Sequence, residues 1–160
     1  MSDFNFKSSG RLQSEITEQA DALSQPSPIG IKTPLRFGVS SDGIFSMHYD
    51  RANQIRDNLR NLILTNKGER LGLYDFGADL RSMVFDTVTE DILEFEERAM
   101  VAISESVSKY MPYLNLKSFE ADTDNSGVMS ISKARIRVIY DVPSLGIENQ
   151  AIEVTLFAGG

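Results

Sequence analysis

Cysteine and tryptophan are absent from this chain, and histidine occurs once. Without cysteine there is no disulfide framework, no thiolate nucleophile and no cysteine-ligated zinc, which suits assembly in a reducing cytoplasm. A lone histidine supports neither a multi-histidine metal site nor a Ser-His-Asp triad. Lying between a predicted strand and a predicted helix, His48 reads as a solvated or hydrogen-bonded surface residue. Basic charge is also in short supply: 16 Lys+Arg stand against 23 Asp+Glu, for a net charge of −7. Nucleic-acid affinity comes mostly from neutralising phosphates, so this balance argues against a nucleic-acid partner. It favours solubility, or contact with basic protein patches. No apolar run approaches the roughly 20 residues of a membrane span, and the first residues lack the apolar core of a signal peptide. A soluble protein with no membrane partner is expected.

What is present is ordinary globular material. Hydrophobic residues make up 41% and charged residues 24% of 160 positions, enough for one domain with its own core. Residues 1–28 are rich in Ser, Gln and acid and close on Gln25-Pro26-Ser27-Pro28, which predicts a flexible N-terminal extension ahead of a single domain at 29–160. Within the extension, Leu12, Ile16, Ala20 and Leu23 recur at near-helical spacing. Two readings stand there, a short helix that docks on a partner and an arm with nascent helicity.

From Ile29 onward the patterns sharpen. Leu35–Val39 and Ile44–Met47 flank Ser40-Ser41-Asp42-Gly43, whose Asp-Gly supplies the positive φ of a hairpin turn. Ala52, Ile55, Leu59, Leu62 and Ile63 line one face of a helix opening near Asp50, with Arg51, Arg56, Asp57, Arg60 and Asn61 on its solvent side. Gly68 is suited to the left-handed position after that helix. Beyond a loop from Glu69 to Gly77 comes a short apolar stretch, Leu80, Met83, Val84 and Phe85. Thr87-Val88-Thr89-Glu90 has the form of a capping box. It opens the longest helix, with Ile92, Phe95, Ala99, Ala102, Ile103, Val107 and Tyr110 as its buried stripe and Pro112 as its stop.

After Pro112 everything reads as strand. Leu114 and Leu116 are out of phase with Phe119 and Ala121, which predicts a bulge between them. Ala134, Ile136, Val138, Tyr140 and Val142 alternate against Lys133, Arg135, Arg137 and Asp141, and Ile152, Val154 and Leu156 alternate in a last strand. The predicted class is α+β: a small antiparallel meander with an N-terminal hairpin, packed against one long and one or two shorter helices.

Several fragments imitate chemistry. Asp122-x-Asp124-x-Ser126-Gly127 opens like a calcium loop, but its twelfth position is Lys133, which repels the ion. Asp75-Phe76-Gly77 matches a kinase magnesium tripeptide without the rest of a kinase, and Gly38 to Gly43 lacks the Lys of a phosphate loop. No metal or cofactor is expected. An enzyme reading rests on Glu69, Asp75, Asp79 and Asp86 as a glycosidase pair across a sugar cleft. With no Trp to line such a cleft, solvated acids and helix caps are the simpler account. The loop Gly68-Glu69-Arg70 to Tyr74-Asp75-Phe76-Gly77-Ala78-Asp79-Leu80 is more ordered in its apolar punctuation than a generic connection. Either it packs an internal corner, with Arg70 pairing Asp75 or Asp79, or it forms a knob for a partner.

At this loop the chain resembles the baseplate wedge and sheath-initiator family of contractile tails, also called lysozyme-like. The resemblance rests on Thr65-Asn66-Lys67-Gly68-Glu69-Arg70 closing a helix, then Asp75-Phe76-Gly77-Ala78-Asp79-Leu80, then Val84-Phe85-Asp86. The hairpin upstream and the capped helix and meander downstream agree with it over residues 29–157. Members carry a Glu-Pro-Arg triplet after the long helix. Here Met111-Pro112-Tyr113 stands in its place, so a salt-bridged contact is not carried over. The resemblance implies a non-enzymatic part of a six-fold baseplate, assembled in the host cytoplasm and located in the virion tail. Its implied partners are the tail sheath protein, baseplate wedge core proteins, and tail tube or hub proteins. The implied role is to template the first sheath ring by strand augmentation at Ile152, Val154 and Leu156, where an edge strand offers unpaired N–H and C=O groups. An edge covered by the protein's own arm is the alternative. Implied wedge contacts are Glu69, Arg70, Asp75, Phe76 and Gly77 of the loop, with Met111, Pro112 and Tyr113. A peptidoglycan-cleaving glycosidase and a type VI secretion baseplate subunit remain the competing readings.

Overall fold

The computed structural model describes residues 26–38, 43–86, 92–124 and 132–158. Its contacts divide the chain into two compact units, Met1–Arg51 and Ala52–Gly160. The capping box at Thr87–Glu90, residues 39–42 of the hairpin turn and most of the calcium-like loop lie outside the described residues, as does the amphipathic segment 12–23; Gly43 has the positive φ expected of it, +78.

In the first unit, β1 (Gly30–Ile31) pairs antiparallel with β2 (Met47–His48), and a bridge between Phe37 and Phe45 continues the hairpin toward its turn. The Lys32 N–H donates to the Ser46 carbonyl at 2.9 Å, and the Ser46 N–H to Arg36 at 2.9 Å. Lys32 and Arg36 thus share one opposing residue, and the chain between them includes the cis peptide Thr33-Pro34. His48 is not the surface residue expected; it is buried at 6% exposure. Its backbone explains part of this, because its carbonyl accepts from Ile29 at 2.7 Å within the ladder.

The second unit carries the core. Helices α1 (Arg51–Leu64), α2 (Leu80–Asp86) and α3 (Ile92–Tyr110) precede a three-stranded sheet of β3 (Asn115–Asp124), β4 (Ser132–Val142) and β5 (Ile147–Ala158). The sheet is an antiparallel meander in the order β3-β4-β5, so β3 and β5 are its edges. The α+β architecture is the one predicted, with the apolar stretch at Leu80 coiled into a short helix. The inward row of β4 (Ala134, Ile136, Val138, Tyr140, Val142) is buried throughout, as are Ile152, Val154 and Leu156 of β5. Facing it are Leu80 and Val84 of α2 and Phe95, Ala99, Ile103 and Val107 of α3. A fully buried side chain of this kind stabilises the fold by about 1.5–3 kcal/mol.

The bulge appears where the phase shift of Phe119 predicted it, with the β3–β4 register slipping between Leu116 and Ser118. The bulged residue, Lys117, reaches Asp141 at 2.8 Å, and the other oxygen of that carboxylate accepts the Asn149 N–H at 2.8 Å. Asn149 holds φ +53, and the β4–β5 register also slips beside Asp141. Asp141 is therefore a buried clamp over two ladder irregularities, not a solvent-facing charge. The Lys117 ammonium and the Asn149 amide hold its carboxyl below the usual range. Asp57, expected on the solvent side of α1, is buried too, and Asn61 is half-buried.

Candidate partner-binding site

Helix α1 ends with carbonyls that have no partner inside the helix, and the following loop returns to satisfy them. The Ala78 N–H donates to the Leu62 carbonyl at 3.2 Å and the Asp79 N–H to Thr65 at 3.4 Å. This return is possible only because residue 77 is glycine. Gly77 has φ +113, and a Cβ there would lie 2.1 Å from the Thr65 carbonyl oxygen. From the other side, the buried Ser106 hydroxyl of α3 donates to the Gly77 carbonyl at 2.9 Å. Gly68 also has positive φ, but beyond the helix end, where its N–H crosses the loop to the Tyr74 carbonyl at 2.6 Å.

The acids of the loop have fixed local partners. Asn66 donates to both oxygens of Glu69, from its backbone at 3.0 Å and its side chain at 2.8 Å. Those bonds hold the Glu69 carboxyl below its ordinary range. Asp75 accepts from the Lys109 ammonium and, at 2.7 Å, from the Tyr110 hydroxyl. Lys109 first, and Tyr110 second, lower its pKa to about 2. Arg70 does not pair with Asp75, one of the two partners the internal-corner reading allowed it. The Arg70 guanidinium lies 4.4 Å over the Phe76 ring instead, and that ring meets Tyr110 edge-on at 4.9 Å. The physical reason is reach: the last turn of α3 brings a cation and a hydroxyl to Asp75 together, leaving Arg70 an aromatic face. A glycosidase acid must keep its proton near neutral pH. Glu69 and Asp75 are both pushed the opposite way. Among the described residues no three His, Cys, Asp or Glu side chains group as a metal site.

The loop thus divides into two halves. Phe76, Gly77, Ala78 and Leu80 form an internal corner, whereas Leu71 is 91% exposed and Tyr74 66%, with Leu73 and Tyr113 also well exposed. Beside them runs an open groove of about 710 Å³, lined by Asn58, Thr65, Arg70, Leu73, Tyr110 and Tyr113 among others. Of the expected contact residues, Glu69, Arg70, Asp75, Pro112 and Tyr113 are exposed, Phe76 is half-buried, and Gly77 and Met111 are buried. Ile152, Val154 and Leu156 point into the core, so the part of β5 open to a partner is its backbone edge. Sequence reasoning offered this loop as a partner knob without naming Leu71, Leu73 and Tyr74 as its contact residues, and it did not name Lys109, Tyr110 and Ser106 as loop supports. The glycines Gly68, Gly72 and Gly77 around Leu71 and Tyr74 are the signal that places the tip there.

A family model described as baseplate wedge protein gp25 matches residues 50–144. No curated protein matches the chain. Among solved structures, the anti-feeding prophage baseplate holds a similar chain at 20% identity and TM-score 0.50, covering 84% of this chain and 87% of that one. A chain of the type VI secretion baseplate complex is 14% identical at TM-score 0.44, covering 67% and 93%. A Geobacter sulfurreducens structure with a provisional tail-lysozyme name is 20% identical at TM-score 0.48, covering 68% and 89%.

Proposed function

This chain belongs to the baseplate wedge protein gp25 family, and we propose that it is a non-enzymatic wedge part that templates the first sheath ring. As a family member it is a baseplate component, with its place in the tail baseplate. The observation that carries the finer reading is the β5 edge. From Gln150 to Ala158, β5 pairs in continuous register with β4 on one side, and no further strand lies on the other among the described residues. Such an edge is a template for an incoming strand of the tail sheath protein. The fastened loop, with Leu71, Leu73 and Tyr74 at its tip and Glu69, Arg70 and Tyr113 around its groove, would meet wedge core proteins or tube and hub proteins in a six-fold assembly. Apolar residues held out on a rigid support are characteristic of protein contact surfaces. The depressed carboxyls of Glu69 and Asp75 weigh against wall hydrolysis.

The test is negative-stain microscopy of baseplate cores given free sheath subunits, with and without this protein. Ordered rings are expected only in its presence. A variant with Ala151→Lys and Thr155→Lys, which places charge along the edge without touching the core row, should lose them. Equal sheath polymerisation without the protein refutes initiation.

A further inference from the structure

The two edges of the sheet are not equivalent. On the β5 side the inward row is buried, but on the β3 side Phe119 and Ala121 remain half-exposed. Beside them, Met100 and Val101 of α3 are 48% and 52% exposed. Between α3 and β3 lies an apolar groove of about 360 Å³, lined by Met100, Val101, Leu116, Phe119 and Val138 among others. Among the described residues no strand lies beyond β3 to cover this part of α3.

The outer face of the same strands shows a matching incompleteness in charge. Across β3 and β4, Glu120 stands opposite Arg137 and Asp122 opposite Arg135. Arg137 approaches Glu120 at 3.9 Å, and Arg135 turns to Glu153 of β5 at 3.2 Å. The basic row of β4 thus meets the acids of β3 on one side and Glu153 of β5 on the other, and Glu120 and Asp122 stand on the sheet's outer strand. Opposite charges directly across a ladder stabilise pairing, and like charges oppose it.

We propose that the β3 edge receives a fourth strand from a partner protein, with basic residues opposite Glu120 and Asp122 and apolar residues between them. The basic side chains would stand against those acids on the outer face. The apolar ones, pointing inward by the period of two, would fill the groove against Met100, Val101 and Phe119. The longest apolar–basic alternation of this chain, Lys133 to Val138, is already β4, and the occupant proposed is a strand of another molecule. This site is separate from the β5 edge and does not depend on sheath templating there.

The probe is a peptide of about nine residues alternating lysine and valine, the length of an ordinary strand, compared with its glutamate–valine counterpart. Both are titrated against the full chain by fluorescence anisotropy, with amide hydrogen exchange to locate binding. The lysine peptide is expected to bind, with new protection in β3, and the glutamate peptide to fail. Replacing Glu120→Gln with Asp122→Asn should weaken binding about tenfold. Val101→Lys, on the exposed face of α3, should weaken it independently by charging the groove. Equal affinity for the two peptides, no binding of either, or protection confined to β5 would each overturn the proposal. The last of these would leave the β5 reading standing.

Discussion

Gly77→Ala is the substitution for which the structure makes the sharpest demand. A methyl group at this position would sit 2.1 Å from the Thr65 carbonyl oxygen and 2.7 Å from its carbon, both backbone atoms at the end of α1. No rotamer change relieves that overlap, so the loop must lift. Lifting it stretches the Ala78–Leu62 and Asp79–Thr65 hydrogen bonds and takes the Gly77 carbonyl away from buried Ser106. Backbone strain at a positive φ costs about 1–3 kcal/mol. Each lost hydrogen bond adds about 1 kcal/mol, and an orphaned buried hydroxyl somewhat more. A total of about 3–5 kcal/mol follows, a large part of the roughly 5–15 kcal/mol that holds a domain together. At a urea slope of about 2 kcal/mol/M, the unfolding midpoint should fall by about 2 M. Gly72→Ala is the matched control: its φ is +80, but nothing lies within 4 Å of its missing Cβ. It should cost only about 1 kcal/mol. If the two variants shift the midpoint equally, close approach to Thr65 is not what holds the loop.

The Asp75 contact should be visible in acid. Its folded-state pKa, about 2, lies below the ordinary 3.8, so its contribution is present above that range and fades as pH falls from about 4 toward 2. Asp75→Asn should be less stable than the parent at neutral pH and should show a shallower loss between those limits. Identical thermal melts of the two proteins at pH 7 and pH 3 would refute it, and the effect is modest because the pair is exposed. At the loop tip, Leu71→Ser with Tyr74→Ser should leave the unfolding free energy within about 0.5 kcal/mol of the parent, as surface changes usually do. The same variant should reduce incorporation into baseplate assemblies, measured by co-sedimentation; full incorporation would remove the tip from the contact surface.

Much of this fold could be read in the residues, because burial imposes periods. The alternation of Ala134 to Val142 and the stripe from Phe95 to Val107 both mark faces that proved buried. Even the bulge was legible, since Phe119 and Ala121 change phase relative to Leu116. Period identifies a face, however, and not a partner. Asp57, Asp141 and His48 are polar residues at positions that sequence alone assigns to solvent, and all three are buried, Asp141 beneath Lys117 and Asn149. The same limit applies at the loop. Arg70 and Asp75 look like a local ion pair, yet Asp75 takes its partners from α3, and a stacked ring draws the guanidinium away. Gly77 is recognisable as a turn residue, but its contact with Thr65 depends on how the loop closes.

The fastening of the 66–79 loop bears on what its tip can cost a partner. Asn66, Glu69, Leu73 and Phe76 are bonded within the loop, and Lys109, Tyr110 and Ser106 hold it from α3. A free loop of that length would surrender conformational freedom on docking, and ordering each side chain alone would subtract about 0.5–1.5 kcal/mol from affinity. Here most of that ordering is completed when the domain folds. Leu71 and Tyr74 are therefore presented in a fixed arrangement, and under the proposed contact a partner would bind them through a small surface without first waiting for the loop to settle.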